Sequence, residues 1–108
     1  MLEHKADVGT KDNNGWMALH LTAGNGHEAV VQLLLEHKAD VSAKGNDGEM
    51  ALHLAAGKGH EAVVQLLLER KADVGAKGNN GGTALHLAAL EGHEAVVQLL
   101  KSKARHNS

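Results

Sequence analysis

A 33-residue period runs through this chain without a gap. Ala18-Leu19-His20-Leu21 recurs as Ala51-Leu52-His53-Leu54 and as Ala84-Leu85-His86-Leu87. The stretch from Gly26 to Leu34 recurs at Gly59 to Leu67 and at Gly92 to Leu100. Lys38-Ala39-Asp40-Val41 returns at Lys71 to Val74, with an earlier copy at Lys5 to Val8. The register holds from Leu2 to Leu100. A fixed period of this length marks repeated supersecondary units, each too small to bury its own apolar surface and so obliged to stack.

Each unit parses into the same parts. Met17 to Asn25 reads as a short helix with Leu19, Thr22 and Ala23 at i, i+3, i+4 on one inward face. Ala55 and Ala88 replace Thr22 in the later units, so this face requires small residues. Gly26 breaks the helix, and Glu28 to His37 reads as a second one. That helix is apolar at 29, 30, 31, 33, 34 and 35, on nearly every side, so neighbouring units must sandwich it. Lys38 to Gly48 then runs extended through Asp40-Val41 into a turn at Asn46-Asp47-Gly48. With no Phe, no Tyr and only Trp16 as an aromatic, Leu, Val and Ala must fill the core, which implies thin, closely spaced helices.

This pattern resembles the ankyrin repeat, whose signature is Thr-Pro-Leu-His-x-Ala, then Gly-His and a Val-Val-x-Leu-Leu-Leu helix. The resemblance covers almost the whole chain and implies an all-α, L-shaped solenoid of stacked helix-turn-helix pairs with β-hairpin or turn connections. Several positions depart from the signature. Ala18, Ala51 and Ala84 occupy the usual Pro position, and Met17 and Met50 replace the Thr that Thr83 retains. Lys38 and Lys71 stand where the family often has Gly. The expected units are a partial repeat at 1–14 (the hairpin half), full repeats at 15–47 and 48–80, and a repeat at 81–108 with a polar C-terminal cap. Between Gly15–Val41 and Gly48–Val74 only positions 16/49, 22/55, 25/58 and 37/70 differ. Such likeness is similar to fungal ankyrin arrays and to engineered ones, so recent duplication and deliberate construction both remain open.

The two ends are expected to differ. Lys101 stands where Leu35 and Leu68 do, and Ser102, Lys103, Arg105, His106 and Asn107 follow, a face that water tolerates. Lys101, Lys103 and Arg105 also suit a helix C-terminus. At the other end, Leu2 to Gly15 supplies only the tail of a unit. The first full unit is therefore expected to expose Leu19, Val30 and Leu34-type positions, each forfeiting roughly 1.5–3 kcal/mol. Either another chain covers this edge, by self-association, or the first unit frays.

Motifs that imitate chemistry do not fit their structural contexts. Gly24-Asn25-Gly26-His27-Glu28-Ala29 has dinucleotide-loop spacing but follows a helix, not a strand, and Leu90 replaces the first Gly in the third unit. His27-Glu28 begins a zinc-protease motif whose second His is Val31, and His60 and His93 fail in the same way. Of nine His, six repeat with the period: His20, His53, His86 and His27, His60, His93. Units stacked about 10 Å apart cannot bring equivalent His onto one metal. The resemblance implies that the first class hydrogen-bonds within the turn network and that the second braces the helix pair. If these His are buried and neutral, acid must charge them, and stability is expected to fall below about pH 6. Ser42, Ser102 and Ser108 lack any triad context. No enzyme activity, cofactor or metal is expected.

The resemblance implies a non-enzymatic protein-interaction scaffold whose partner lies on a concave side made of hairpin tips and first helices. The positions that vary between copies match that side: Trp16/Glu49/Gly82, Gly24/Gly57/Leu90, Asn25/Lys58/Glu91 and the tips Asn14/Asp47/Asn80. The partner-contact candidates are therefore Trp16, Asn14, Asn25, Asp47, Glu49, Lys58, Asn80, Leu90 and Glu91. Trp16 would be an exposed aromatic anchor, or else folds over its own hairpin or the open edge. Leu90 joins the contact surface or simply relieves the cost of Gly in a helix, about 1 kcal/mol. A net charge of -2 gives no basic field for nucleic acid or anionic lipid, so neither is an expected partner. Absence of Cys fits a cytoplasmic or nuclear setting. The alternative is an engineered or excised structural array with no dedicated partner.

Overall fold

The computed structural model describes residues 11–13 and 15–106, with side chains through Lys103. Six helices follow one another: α1 (Ala18–Gly24), α2 (Glu28–Glu36), α3 (Ala51–Lys58), α4 (Glu61–Glu69), α5 (Ala84–Leu90) and α6 (Glu94–His106). They pair as α1–α2, α3–α4 and α5–α6, and the pairs stack side by side. The connections between pairs are turns. No strand is present among the described residues, so the extended segments read from the sequence stop short of sheet pairing.

The repeat of side-chain burial shows which face each position serves. Leu34, Leu67 and Leu100 are all buried, whichever end of the stack they occupy, so they pack inside their own unit. Val31 and Val64 are buried whereas Val97 in the last unit is half-buried, which puts this position on the side facing the following unit. Leu19 and Leu52, against Leu85, behave in the same way. The side facing the preceding unit is marked by Val30, 43% exposed, against 1% for both Val63 and Val96. Leu21 and Leu33 are also exposed, whereas their successors Leu54, Leu66, Leu87 and Leu99 are half-buried. The expectation of an exposed edge at Leu19 and Leu34 is thereby corrected. The edge consists of Leu21, Val30 and Leu33, because Leu19 points toward the second unit and Leu34 into its own.

First helices approach one another more closely than second helices do. The cause lies in the side chains. α1, α3 and α5 meet through Ala23, Ala55, Ala56 and Ala88, all fully buried, whereas α2, α4 and α6 meet through Val and Leu. Interaxial distance follows side-chain size, so the stack bends with its first helices on the inner side. Overall extents are 37 × 25 × 24 Å.

Helix ends carry the departures from the family signature. α2 closes with Ala39 N–H donating to Leu34 O and Lys38 N–H to Leu35 O, and α4 repeats this at Ala72 and Lys71. That pattern demands a left-handed residue, usually Gly. Lys38 and Lys71 supply it at φ 70°. In the third unit Ala104 occupies the same position, the chain does not turn, and α6 runs on for 13 residues. At the other helix ends Thr83 caps α5 by accepting from His86 N–H at 3.2 Å. Met17 and Met50 make no such bond and instead bury their side chains in the core.

The candidate partner-binding face

Each turn is closed by its own backbone. Gly45 N–H donates to Glu49 O and Gly78 N–H to Gly82 O, both at 2.9 Å. Successive turns are then tied along the stack by asparagine. The Asn46 side-chain amide donates to Asn13 O at 3.0 Å, and the Asn79 amide to Asn46 O at 2.9 Å. The rung is tight at Gly48, where φ is +79° and a Cβ would lie 2.5 Å from Asn79 Oδ1. Sequence reasoning singles out the variable tips and misses this ladder. A signal for it exists, because 13, 46 and 79 are all Asn while 14, 47 and 80 vary.

Both histidine classes are structural, and both join elements far apart in sequence. His20 Nδ1 accepts from Met17 N–H at 3.0 Å while Nε2 donates to Ala43 O at 3.1 Å. His53 does the same with Met50 and Ala76. Each ring thus pins the start of a first helix to the loop that leads into the next unit. Burial holds the His20 pKa below its ordinary 6.5, against opposing contributions from the carbonyls of Ala43 and Glu49. In the second class, His60 Nε2 donates to Gly24 O and His93 Nε2 to Gly57 O, each at 3.1 Å. The family-based expectation that this class braces a helix pair is corrected for His60 and His93, whose bonds run to the preceding unit.

The contact candidates fall into three groups. Asn25, Lys58 and Glu91 are exposed at the C-terminal ends of α1, α3 and α5, and Leu90 beside them is 79% exposed. Asp47 and Asn80 are exposed at the tips, but their side-chain oxygens accept from Glu49 N–H and Gly82 N–H, both at 3.1 Å, so they also shape the turns. Trp16 and Glu49 are half-buried beneath those tips. Trp16 stacks on His20 with ring centroids 6.2 Å apart and planes 9° from parallel. Its indole N–H is buried without a hydrogen-bond acceptor among the described residues. Trp16 is thus a partly covered ring, which lies between the two readings left open by the sequence, an exposed anchor and a ring folded over its own hairpin or the open edge. Burial and the neighbouring Asp47 raise the Glu49 carboxyl above its usual range, and His53 opposes them. Asn14 lies outside the described residues.

The outer face is different in kind. It carries shallow grooves along the second helices, one lined by Gln65, Leu68, Glu69, Leu99, Ser102 and Lys103. None of the contact candidates lines it. No described helix is long and apolar enough to cross a membrane.

No curated protein matches the chain. The family model for ankyrin repeats in three copies matches residues 1–78 and again residues 40–108, ranges that together span the chain. Repeat length, paired helices, inter-unit histidines and this match lead to one conclusion: the chain belongs to the ankyrin-repeat family.

Proposed function

We propose that the chain is a non-enzymatic scaffold that presents its inner face, made of turn tips and first helices, to a protein partner. Ankyrin repeats generally mediate protein–protein interaction. The observation that carries the reading for this chain is where its copies differ. Asn25/Lys58/Glu91, Asp47/Asn80 and Leu90 are exposed, while the buried stacking positions barely change. Charges of both signs occur there, so a partner with mixed polar and apolar contacts fits better than a strongly charged one. An intracellular setting, cytoplasmic or nuclear, belongs to the same reading and is supported by the absence of Cys.

A displayed peptide library selected against the immobilised chain tests the proposal. Captured peptides are expected to be lost with Lys58→Glu or Leu90→Ala and kept with Gln32→Ala or Gln65→Ala on the outer helices. No enrichment over bare support, or binders indifferent to the inner-face variants, overturns it. Self-association through Leu21, Val30 and Leu33 is a further element, supported by their 43–44% exposure. A monomer in light scattering at high concentration removes it. The competing reading, a structural array with no dedicated partner, rests on the near-identity of the first two full units.

A further inference from the structure

Four Asx–Gly pairs occur in the chain: Asn14-Gly15, Asn25-Gly26, Asp47-Gly48 and Asn80-Gly81. Such pairs are chemically labile. Glycine has no side chain to shield its backbone nitrogen, which can attack the preceding side-chain carbonyl carbon. Ring closure requires the peptide between the two residues to swing out of its turn. Whether it can swing depends on what holds it, and the stack holds these pairs differently.

Asn25-Gly26 is clamped by the second unit. His60 bonds to Gly24 O, and a Cβ on Gly26 would sit 2.7 Å from the His60 ring nitrogen. The pair is also tied locally, through Asn25 N–H to Leu21 O and Gly26 N–H to Ala23 O. Asp47-Gly48 is clamped by the third unit, where Asn79 N–H donates to Asp47 O at 2.9 Å and the Asn79 side chain lies against Gly48. Among the described residues, Asn80-Gly81 has neither restraint. Both residues are exposed, and nothing lies within 4 Å of where a Gly81 Cβ would be. Its bonds are local ones, Gly81 N–H to Gly78 O and Gly82 N–H to Asn80 Oδ1.

We propose that Asn80 is a spontaneous deamidation and isoaspartate-forming site, set apart from Asn25 by the missing inter-unit clamp. The Gly81 nitrogen bonds to Asn80 Cγ, the Cγ–Nδ2 bond breaks, and ammonia leaves with the Gly81 amide proton. Water then opens the succinimide. Attack at Cγ gives an ordinary aspartate at this position, the residue type already present at 47. Attack at the main-chain carbonyl carbon gives isoaspartate, which routes the backbone through the former side chain, so that the oxygen accepting from Gly82 N–H becomes a main-chain carbonyl in a lengthened backbone. The reaction involves no oxidation or reduction and no reagent beyond water. It places a new negative charge on one turn tip, and this proposal stands whether or not that tip contacts a partner.

The test is prolonged incubation of the folded full chain at neutral pH and body temperature, followed by peptide mapping with fragmentation that localises each converted residue. Asn80 is expected to convert about ten-fold faster than Asn25, the ratio that one retained hydrogen bond and its packing contact would produce. Isoaspartate formed from Asn80 is expected to accept a methyl group from an isoaspartyl methyltransferase. In His60→Ala, checked for retained helicity, Asn25 should accelerate toward the Asn80 rate, while Asn80→Gln abolishes the main product. Equal rates at Asn25 and Asn80 in the intact chain overturn the proposal. So does an Asn80 that stays unconverted while the heat-unfolded chain reacts.

Discussion

Gly59 and Gly92 provide a matched pair for measuring how much the stacking depends on the inter-unit histidine. Both adopt a left-handed conformation, at φ 77° and 76°. Alanine at either position incurs the same backbone strain, about 1–2 kcal/mol, less about 0.4–1 kcal/mol for restricting the unfolded chain. At Gly92 nothing lies within 4 Å of the new Cβ, so Gly92→Ala should cost about 1 kcal/mol. At Gly59 the Cβ would fall 2.5 Å from His93 Nδ1 and 2.9 Å from its Cγ, so the ring has to move. Moving it gives up the bond to Gly57 O, about 1–3 kcal/mol when a partly buried group is orphaned, and strains the packing by about 1–3 kcal/mol. Gly59→Ala should therefore cost about 2–6 kcal/mol more than Gly92→Ala. At this chain length the gap corresponds to about 10–25 °C in melting temperature. Urea denaturation of both variants gives the free energies directly, and Gly26→Ala repeats the test at the other interface. In a His93→Ala background the extra cost at Gly59 should vanish. A gap smaller than about 1 kcal/mol refutes the argument that these rings lock unit to unit.

Lys71→Gly should stabilise the chain by about 0.5–1 kcal/mol, because a φ of 70° strains lysine but not glycine, and thermal melting will register the gain. His53→Ala is expected to cost about 2–4 kcal/mol, since it removes a buried ring and both of its backbone partners, whereas exposed His86→Ala should cost about 1 kcal/mol. Equal melting losses would be the contrary result. For pH, the lowered His20 pKa means that the unfolded chain takes up the proton first. Stability from this group is full above 6.5 and declines as pH falls through that value toward the lower folded one. Glu49 acts in the opposite sense further into acid, because its raised pKa lets the folded chain bind the proton first. Chemical denaturation across mildly acidic pH should show the first decline, diminished in a His20→Gln variant.

The sequence is most informative where one residue does the same job in every unit. Helix boundaries, the small-residue face and the second helix buried on most sides all follow from a 33-residue pattern in which most Ala, Val and Leu positions are kept from copy to copy. Direction is harder to read. Val30 and Val31 are adjacent and identical in type, yet one faces the unit before and the other the unit after, and only the stacked structure separates them. For the same reason Leu19 and Leu34 read as residues of the open edge and lie in the core instead. Bonds that reach 33 or 36 residues away, such as Asn46 to Asn13 and His60 to Gly24, connect copies of the pattern. A pattern within one unit does not show them. At the contact face, exposure at Asn25, Lys58, Leu90 and Glu91 agrees with the variation between copies. Trp16 cannot be placed from its type alone, because stacking on His20 depends on a geometry set by the turn.

The ladder of Asn and His bonds has a bearing on how such a chain can grow. The Asn46, Asn79, His60 and His93 side chains each join a donor in one copy to a carbonyl in the copy before it, at an offset of 33 or 36 residues. A 33-residue segment spliced in anywhere between Trp16 and Leu90 would meet ready-made neighbours on both sides. It would leave the two dissimilar ends untouched and lengthen the exposed inner strip by one register. An insertion within a unit that is not a multiple of 33 residues would instead break the spacing that these bonds require. Gene duplication can therefore extend this molecule in whole steps only, and each step arrives already fitted.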